Sequence, residues 1–328
     1  MFSSAKKKTF KRWYSLILKT TIVLVALGYL MVKLSKAAYR ENLISYFDEL
    51  HQGDSLWLLV GVVLLMPLNW FIEVLKWKLL ICKIEHISIT KAISGVLAGT
   101  SISILTPNRI GEFFGRVIVL DSHHRVQGSL MTVLGSLAQL IVTLLLGGLA
   151  YLVHIFSSTS SEMTSYAFYV GAQLYVVLAI VVVGAFLSSG VLSILLSRSK
   201  FLKQRYSKYI GIFELYRPTE LFKVLKYSLL RYLVYGLQLF LMLQFFQVHL
   251  SIFEAITTIP LYFLTLTSIP SVALAELGIR EALSIGFFSD LSENIVGIVA
   301  ASFFIWLINL MIPAIMGGIV LIRTKIFS

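Results

Sequence analysis

Apolar windows of about 20 residues or more, each enough to cross a hydrocarbon core of about 30 Å as a helix, recur along this chain. They fall at 16–34, 56–75, 128–155, 168–196, 227–248 and 296–322. Two further apolar stretches are interrupted: 93–106 leading into 109–121, and 253–269 leading into 273–288. A helix from Ile93 to Thr106 would rise only about 21 Å, so a re-entrant hairpin fits it better than two crossings. The pattern predicts an all-α polytopic membrane protein with about six full transmembrane helices plus two re-entrant or short helical hairpins.

The loops orient these spans, because cytoplasmic loops carry an excess of Lys and Arg. The N-terminus (Lys6, Lys7, Lys8, Lys11, Arg12), the loop with Lys76, Lys78, Lys83 and Lys91, the segment 198–226 and the end with Arg323 and Lys325 are basic. Segments 156–167, 247–255 and 289–294 hold no Lys or Arg. Six spans alternate against this pattern, with one exception, the basic residues Lys33, Lys36 and Arg40 on an outer loop. Both termini are then cytoplasmic, in a multi-pass protein of the cytoplasmic (inner) membrane. The first hairpin enters from inside and the second from outside. One integral membrane domain, 1–328, therefore divides into halves 56–155 and 227–322 with the same elements in opposite orientation, the inverted repeat of many alternating-access transporters.

Composition adds the class. The chain has 328 residues, 58% hydrophobic and 13% charged, with a mean hydropathy of +0.87. Soluble domains are about a quarter charged, and no polar stretch here is long enough for a separate soluble domain. The first span is too long for a cleaved signal peptide. Lone Cys82 excludes a disulfide framework or a cysteine metal site. The net charge of +12 does not point to nucleic acid, because the basic residues flank apolar spans and suit anionic lipid surfaces. Within 198–226, Leu202, Tyr206, Tyr209, Ile210, Phe213 and Tyr216 recur at helical spacing among basic residues. That describes either a helix on the inner leaflet or one packed beneath the bundle.

The two interruptions hold the candidate chemistry. In the first, Thr106 caps and Pro107 opens a new helix, whose free N–H groups favour an anion such as phosphate. Arg109, Glu112 and Arg116 then share one face, with Glu112 bracing both guanidinium groups for bidentate phosphate binding. Gly111 and Gly115 permit close helix approach, and Gly95 and Gly99 form a GxxxG that packs the hairpin. In the second, after Pro270, Glu276 and Arg280 make an i,i+4 pair, and Glu281 is a protonatable group on an adjacent face. The competing reading makes these charges interfacial snorkels. Asn69, Glu73, Arg231, Gln238 and Gln244 read as helix–helix hydrogen bonds or interface anchors. His123 and His124 have no third ligand at metal spacing, and no nucleotide-binding loop or nucleophile motif is present. The sequence therefore calls for no metal, cofactor or catalytic residue.

These residues carry a resemblance. The chain resembles the membrane domain of lysylphosphatidylglycerol synthetases and its stand-alone, flippase-like relatives, over roughly 15–325. The family's Pro-x-Arg-x-Gly-Glu followed by Arg is similar to Pro107, Arg109, Gly111, Glu112 and Arg116. Its Gly-x-Arg-Glu after a proline turn is similar to Pro270, Gly278, Arg280 and Glu281, although the turn here is longer and more helical. Arg-Trp-x-x-Leu is echoed by Lys76, Trp77 and Leu80, with Lys for Arg. The resemblance implies movement or binding of an anionic phospholipid or polyprenyl-phosphate-type lipid. It does not imply aminoacyl transfer, because no synthetase domain follows the last span. The rival readings are an intramembrane enzyme on a lipid phosphate, with Glu112 and Glu281 as acid and base, and a membrane regulator without transport of its own.

Overall fold

A computed structural model describes residues 56–323 apart from 105, 159–161, 189–210 and 270–272. The described residues are predominantly helical, with no strand among them. The predicted span 16–34, Pro270 and the first part of 198–226 lie outside the described residues. In chain order the helices are α1 (Leu56–Ile81), α2 (Ile89–Ile104), α3 (Gly111–Arg116), α4 (Arg125–Ser158), α5 (Glu162–Leu187), α6 (Pro218–Phe245), α7 (Ile252–Ser268), α8 (Ala273–Phe288), α9 (Ile295–Trp306) and α10 (Ile312–Arg323). Helices α9 and α10 are joined by a π-helical turn, Leu307–Met311, into one apolar helix over Ile295–Ile322.

Among the described residues, four helices are long and apolar enough to cross a membrane: Leu56–Ile81, Ser122–Phe156, Pro218–Phe245 and Ile295–Ile322. They match the predicted spans 56–75, 128–155, 227–248 and 296–322, most with added turns at the ends. Large apolar side chains such as Leu64, Leu144, Leu233 and Ile315 stay exposed on these helices, as a surface bathed in lipid requires. Inside, one core is built around Met242, Leu243, Tyr262, Phe288 and Ile298, and another around Trp77, Leu80, Met131, Leu134 and Val224.

The interrupted segments are helical hairpins. An added Cβ at Gly95 would meet Arg116 O, one at Gly99 would meet Glu112 O, and one at Gly111 would meet Ile102 O. The partner number falls as the chain advances, so α2 and α3 run antiparallel, back to back along two glycine stripes. Gly115 sits against Gly99 Cα, which gives the predicted GxxxG its partner. The second hairpin, α7–α8, closes in the same sense: Tyr262 donates to the carbonyl of Arg280, at 3.4 Å. Arms α2 and α8 have 16 residues each, about 24 Å of rise, and fall short of a hydrocarbon core of about 30 Å.

The element order long helix, short arm, short arm, long helix occurs twice, as α1–α4 and as α6–α10. Packing crosses between the two sets. Arm α2 lies on α10 and arm α7 lies on α4, while α1 and α6 pack on each other. The same kind of contact makes both crossings. Gly317 of α10 faces the carbonyl of Leu97 and Ser101 on α2, and Gly147 of α4 faces the carbonyl of Pro260 and Leu264 on α7.

Of the basic segment, Gly211–Leu215 forms a 3₁₀ turn with Ile212 and Phe213 buried, and Tyr216 just after it is buried too. Tyr216 donates its hydroxyl to the Leu80 carbonyl. This part of the apolar stripe is thus packed under the bundle. Arg217 then caps α6 with its backbone N–H donated to Glu220, at 2.9 Å.

Candidate functional site

The charged residues of both hairpins meet α1 and α6 around one cavity of about 220 Å³. Its polar lining includes Asn69 (α1), Arg109 (first hairpin tip), Arg231 and Tyr235 (α6), Arg280 (α8) and Asn309 (the π turn). Asn69, Gln139, Arg231 and Asn309 each sit near the midpoint of a long apolar helix, so the cavity lies at the depth where transporters hold their substrates. The π turn falls where Trp306, Asn309 and Leu310 line this space, and such turns are frequent at functional sites.

On one side Glu73 is the hub. Its carboxylate accepts from Arg116 at 2.7 Å and Arg231 at 2.8 Å, and Lys76 lies 2.7 Å away. Arg231 also donates to Asn69 at 3.2 Å, and Asn69 donates to Asn309 at 3.2 Å. Glu112 takes the second guanidinium nitrogen of Arg116. On the other side Glu276 accepts from Arg109 at 2.7 Å and from Arg280 at 2.8 Å. Arg280 donates onward to the Tyr235 hydroxyl at 3.0 Å, whose ring stacks on Phe263. The Arg109–Glu276 pair therefore ties the tip of one hairpin to the other.

Five cations, Lys76, Arg109, Arg116, Arg231 and Arg280, share three carboxylates, Glu73, Glu112 and Glu276. The carboxylates of Glu73 and Glu276 stand outside the cavity wall, whereas three guanidinium groups line it. The wall thus presents positive charge to whatever enters, in a low-dielectric setting that screens it little.

The structure redraws several sequence expectations. Arg109, Glu112 and Arg116 do not share a helix face, because the first break is not a simple helix start. Pro107–Arg109 is a 3₁₀ turn, and Asn108 (φ 49°) and Arg109 (φ 56°) are left-handed, which costs a branched or bulky residue energy and often marks function. That turn swings Arg109 to Glu276 and leaves Glu112 to brace Arg116 alone. Thr106 does not cap at Pro107; its hydroxyl accepts from the Gly111 N–H at 2.7 Å. That donor is thereby taken, and α3, six residues long, offers no free anion site at its start. Glu276 and Arg280 pair as expected. Glu281 is buried, lies outside the cavity, and its carboxylate makes no hydrogen bond or ion pair with a described residue. Asn69, Glu73 and Arg231, read as helix–helix anchors, instead form the hub and part of the wall. A signal for them exists: Asn69, Glu73 and Lys76 recur at i, i+4, i+7 on α1, and Arg231, Tyr235 and Gln238 do so on α6. Outside the cavity, Asp121 supplies the third potential ligand beside His123 and His124, within 4.8 Å, on a largely exposed turn. His124 is already bonded to Glu85 there, at 3.0 Å.

Comparison with known proteins gives the family. No curated protein and no solved structure matches the chain. A family model does, over residues 16–317, and its description is the lysylphosphatidylglycerol synthase TM region. With nearly the whole chain matched, this multi-pass membrane protein belongs to the family of lysylphosphatidylglycerol synthase transmembrane regions.

Proposed function

We propose that this protein is a lipid translocase that takes the anionic headgroup of a phospholipid or polyprenyl-phosphate-type lipid into the cavity between its two hairpins. The observation that carries this reading is the convergence of Arg109, Arg231 and Arg280 on one mid-membrane cavity, with Glu73 and Glu276 engaged behind them. Charges at that depth are costly and are characteristic of substrate pathways, and guanidinium forks suit phosphate oxygens. The repeated element order and the crossed packing of α2 on α10 and α7 on α4 support an inverted repeat of 56–155 and 227–322. In that arrangement alternating access is a rocking of one repeat against the other around a fixed site. Arg109–Glu276 is the contact between hairpins that such rocking must remake. We further place the protein in the cytoplasmic membrane with both termini inside, following the loop charges, and assign it no catalytic step of its own.

The test is transbilayer movement of fluorescent phosphatidylglycerol in proteoliposomes, read by reduction of the label exposed in the outer leaflet. Purified parent protein should expose the inner-leaflet pool, and Arg231→Gln and Arg280→Gln should slow this at equal reconstitution. Movement in the parent no faster than in protein-free vesicles, across anionic lipids, would overturn translocation.

A further inference from the structure

The turn between the first hairpin and α4 brings together three metal-binding side chains that the cavity does not use. One ligating atom each from Asp121, His123 and His124 lies within 4.8 Å of the others. We propose that this turn binds a divalent transition-metal ion of the zinc class, held by the Asp121 carboxylate and the two imidazoles, with Glu85 orienting the ligands. The proposal is independent of what the mid-membrane cavity carries.

Proximity on one turn would not by itself make a site; two features of the surroundings do. The first is that two of the ligands are unengaged. Asp121 stands at the N-cap of the 3₁₀ turn Ser122–His124, where an aspartate ordinarily accepts from the backbone, yet its side chain makes no such bond. Nor does it pair with Arg125 four residues on, whose Nε donates instead to the Leu120 carbonyl, at 3.3 Å. The His123 ring lies against His124, with centroids 4.0 Å apart and planes at 55°, and has no hydrogen bond with a described residue. The second feature is the partner of His124. An ionised carboxylate only accepts, so His124 Nδ1 donates to Glu85 Oε2, at 3.0 Å. That fixes the proton on Nδ1 and leaves Nε2 as the unprotonated nitrogen. A carboxylate behind a histidine is the usual outer partner of a metal ligand; it sets the tautomer and ring orientation and raises the basicity. Glu85 is itself held, since Oε2 also accepts from the Asp121 N–H at 3.1 Å and Oε1 accepts from Lys91 at 2.7 Å. One side chain from the α1–α2 loop thus fixes the backbone of the first ligand and the ring of the last.

The donor set selects the ion. Two imidazole nitrogens and one carboxylate oxygen suit zinc, whereas calcium and magnesium take oxygen ligands. Ligands on one zinc ion stand about 2.0–2.2 Å from it, hence about 3.4 Å from each other in a tetrahedron. Asp121 and His123 are exposed, so rotation of their side chains brings the three atoms to that spacing, and the solvent side leaves the fourth position to water. The neighbours of the turn say what the ion joins. Leu120, just before it, is buried and packs against Gly128 of α4, while Glu85 belongs to the loop from which the hairpin departs. A bound ion therefore ties the two ends of the first hairpin together at its base.

The experiment uses the full chain, purified in detergent without a histidine tag, stripped with chelator and titrated with zinc, cobalt, calcium or magnesium chloride. Bound metal is read by equilibrium dialysis with elemental mass spectrometry. The parent should take up one zinc ion per chain, in preference to calcium and magnesium, and give with cobalt the visible absorption of a four-coordinate site. Removing a ligand costs at least what removing its outer partner does, about 10–100-fold in affinity. Asp121→Asn and His123→Ala should each weaken zinc by that factor or more, while the metal-free variants melt as the parent does. Glu85→Gln should weaken zinc about 10–100-fold yet keep the cobalt absorption, because all three ligands remain; a variant that had only unfolded the turn would lose both. His249→Ala, on another loop, and Arg231→Gln, in the cavity, should bind zinc as the parent does. Zinc uptake unchanged in Asp121→Asn and His123→Ala would place the metal elsewhere and overturn the site. A parent that takes up no zinc, or that binds calcium and magnesium equally well, would overturn it too. None of these outcomes bears on lipid movement, so the metal site and the translocase reading are tested separately.

Discussion

At the scale of residues, the account turns on which charges are shared. Glu73 serves Lys76, Arg116 and Arg231 at once while almost fully buried. Glu73→Gln leaves those cations without their common partner, and breaking a buried pair costs about 3–5 kcal/mol. Thermal unfolding in detergent should show a large loss for it. Lys83→Ala, which breaks a half-exposed pair with Glu220, should change stability by no more than about 1 kcal/mol. Outside the membrane, burial raises the Glu85 carboxyl, but hydrogen bonds from Lys91, the Asp121 N–H and His124 outweigh it and hold the group below the ordinary carboxylate range. A lowered carboxyl stabilises the fold above its unfolded value, about 4.3, and that stability is lost as pH falls through the folded value. The acid limb of a stability–pH profile should therefore flatten in Glu85→Gln while the profile above pH 6 keeps its shape; an unchanged acid limb would contradict the linkage. Sequence showed Arg109, Glu276 and Arg280 because each follows a proline that interrupts an apolar run. It did not show that Arg109 leaves the face of Glu112 and Arg116, because two successive left-handed residues, Asn108 and Arg109, have no glycine to announce them.

At the scale of elements, close helix approach rests on glycine at a few places. A Cβ at Gly317 would lie 1.9 Å from the Leu97 carbonyl oxygen, and one at Gly115 would lie 2.7 Å from Gly99 Cα. Both neighbours are backbone and cannot move aside without separating the helices. Gly317→Ala and Gly115→Ala should each lose about 1–3 kcal/mol or more of stability through overpacking. Gly286→Ala on α8 meets nothing within 4 Å and should be neutral or gain about 0.5–1 kcal/mol from helix propensity. Equal midpoints for the three variants in detergent would contradict the packing. The hairpins were legible because a span needs about 20 apolar residues and these arms have fewer. Their exact tips were not, since Thr106 turns its hydroxyl to Gly111 rather than capping at Pro107. The 198–226 stripe was ambiguous for a related reason: a membrane surface and a protein underside both select an apolar face, and only the burial of Ile212, Phe213 and Tyr216 separates them for its last turns.

At the scale of the whole molecule, hydropathy alone was enough for an all-α multi-pass protein, because every backbone group in lipid must be satisfied within helices. The hub of the site was less legible. Asn69, Glu73 and Arg231 stand one or two to a span, and only the packing of α1 on α6 makes them neighbours of the hairpin charges. The repeat itself makes a directional prediction: in a Cys82→Ser background, a cysteine at Asn108 should be labelled from the cytoplasm and one at Val272 from the outside. Labelling of both from one face would contradict the inverted repeat. The central claim is that the mid-membrane cavity binds an anionic lipid headgroup through Arg109, Arg231 and Arg280, and the most direct measurement of it is mass spectrometry of the lipids that remain with the protein after purification in mild detergent. The parent should retain an anionic phosphate lipid in excess of its share of the membrane, and Arg231→Gln and Arg109→Gln, still folded, should lose that excess; retention in proportion to membrane composition, unchanged by either substitution, would contradict it.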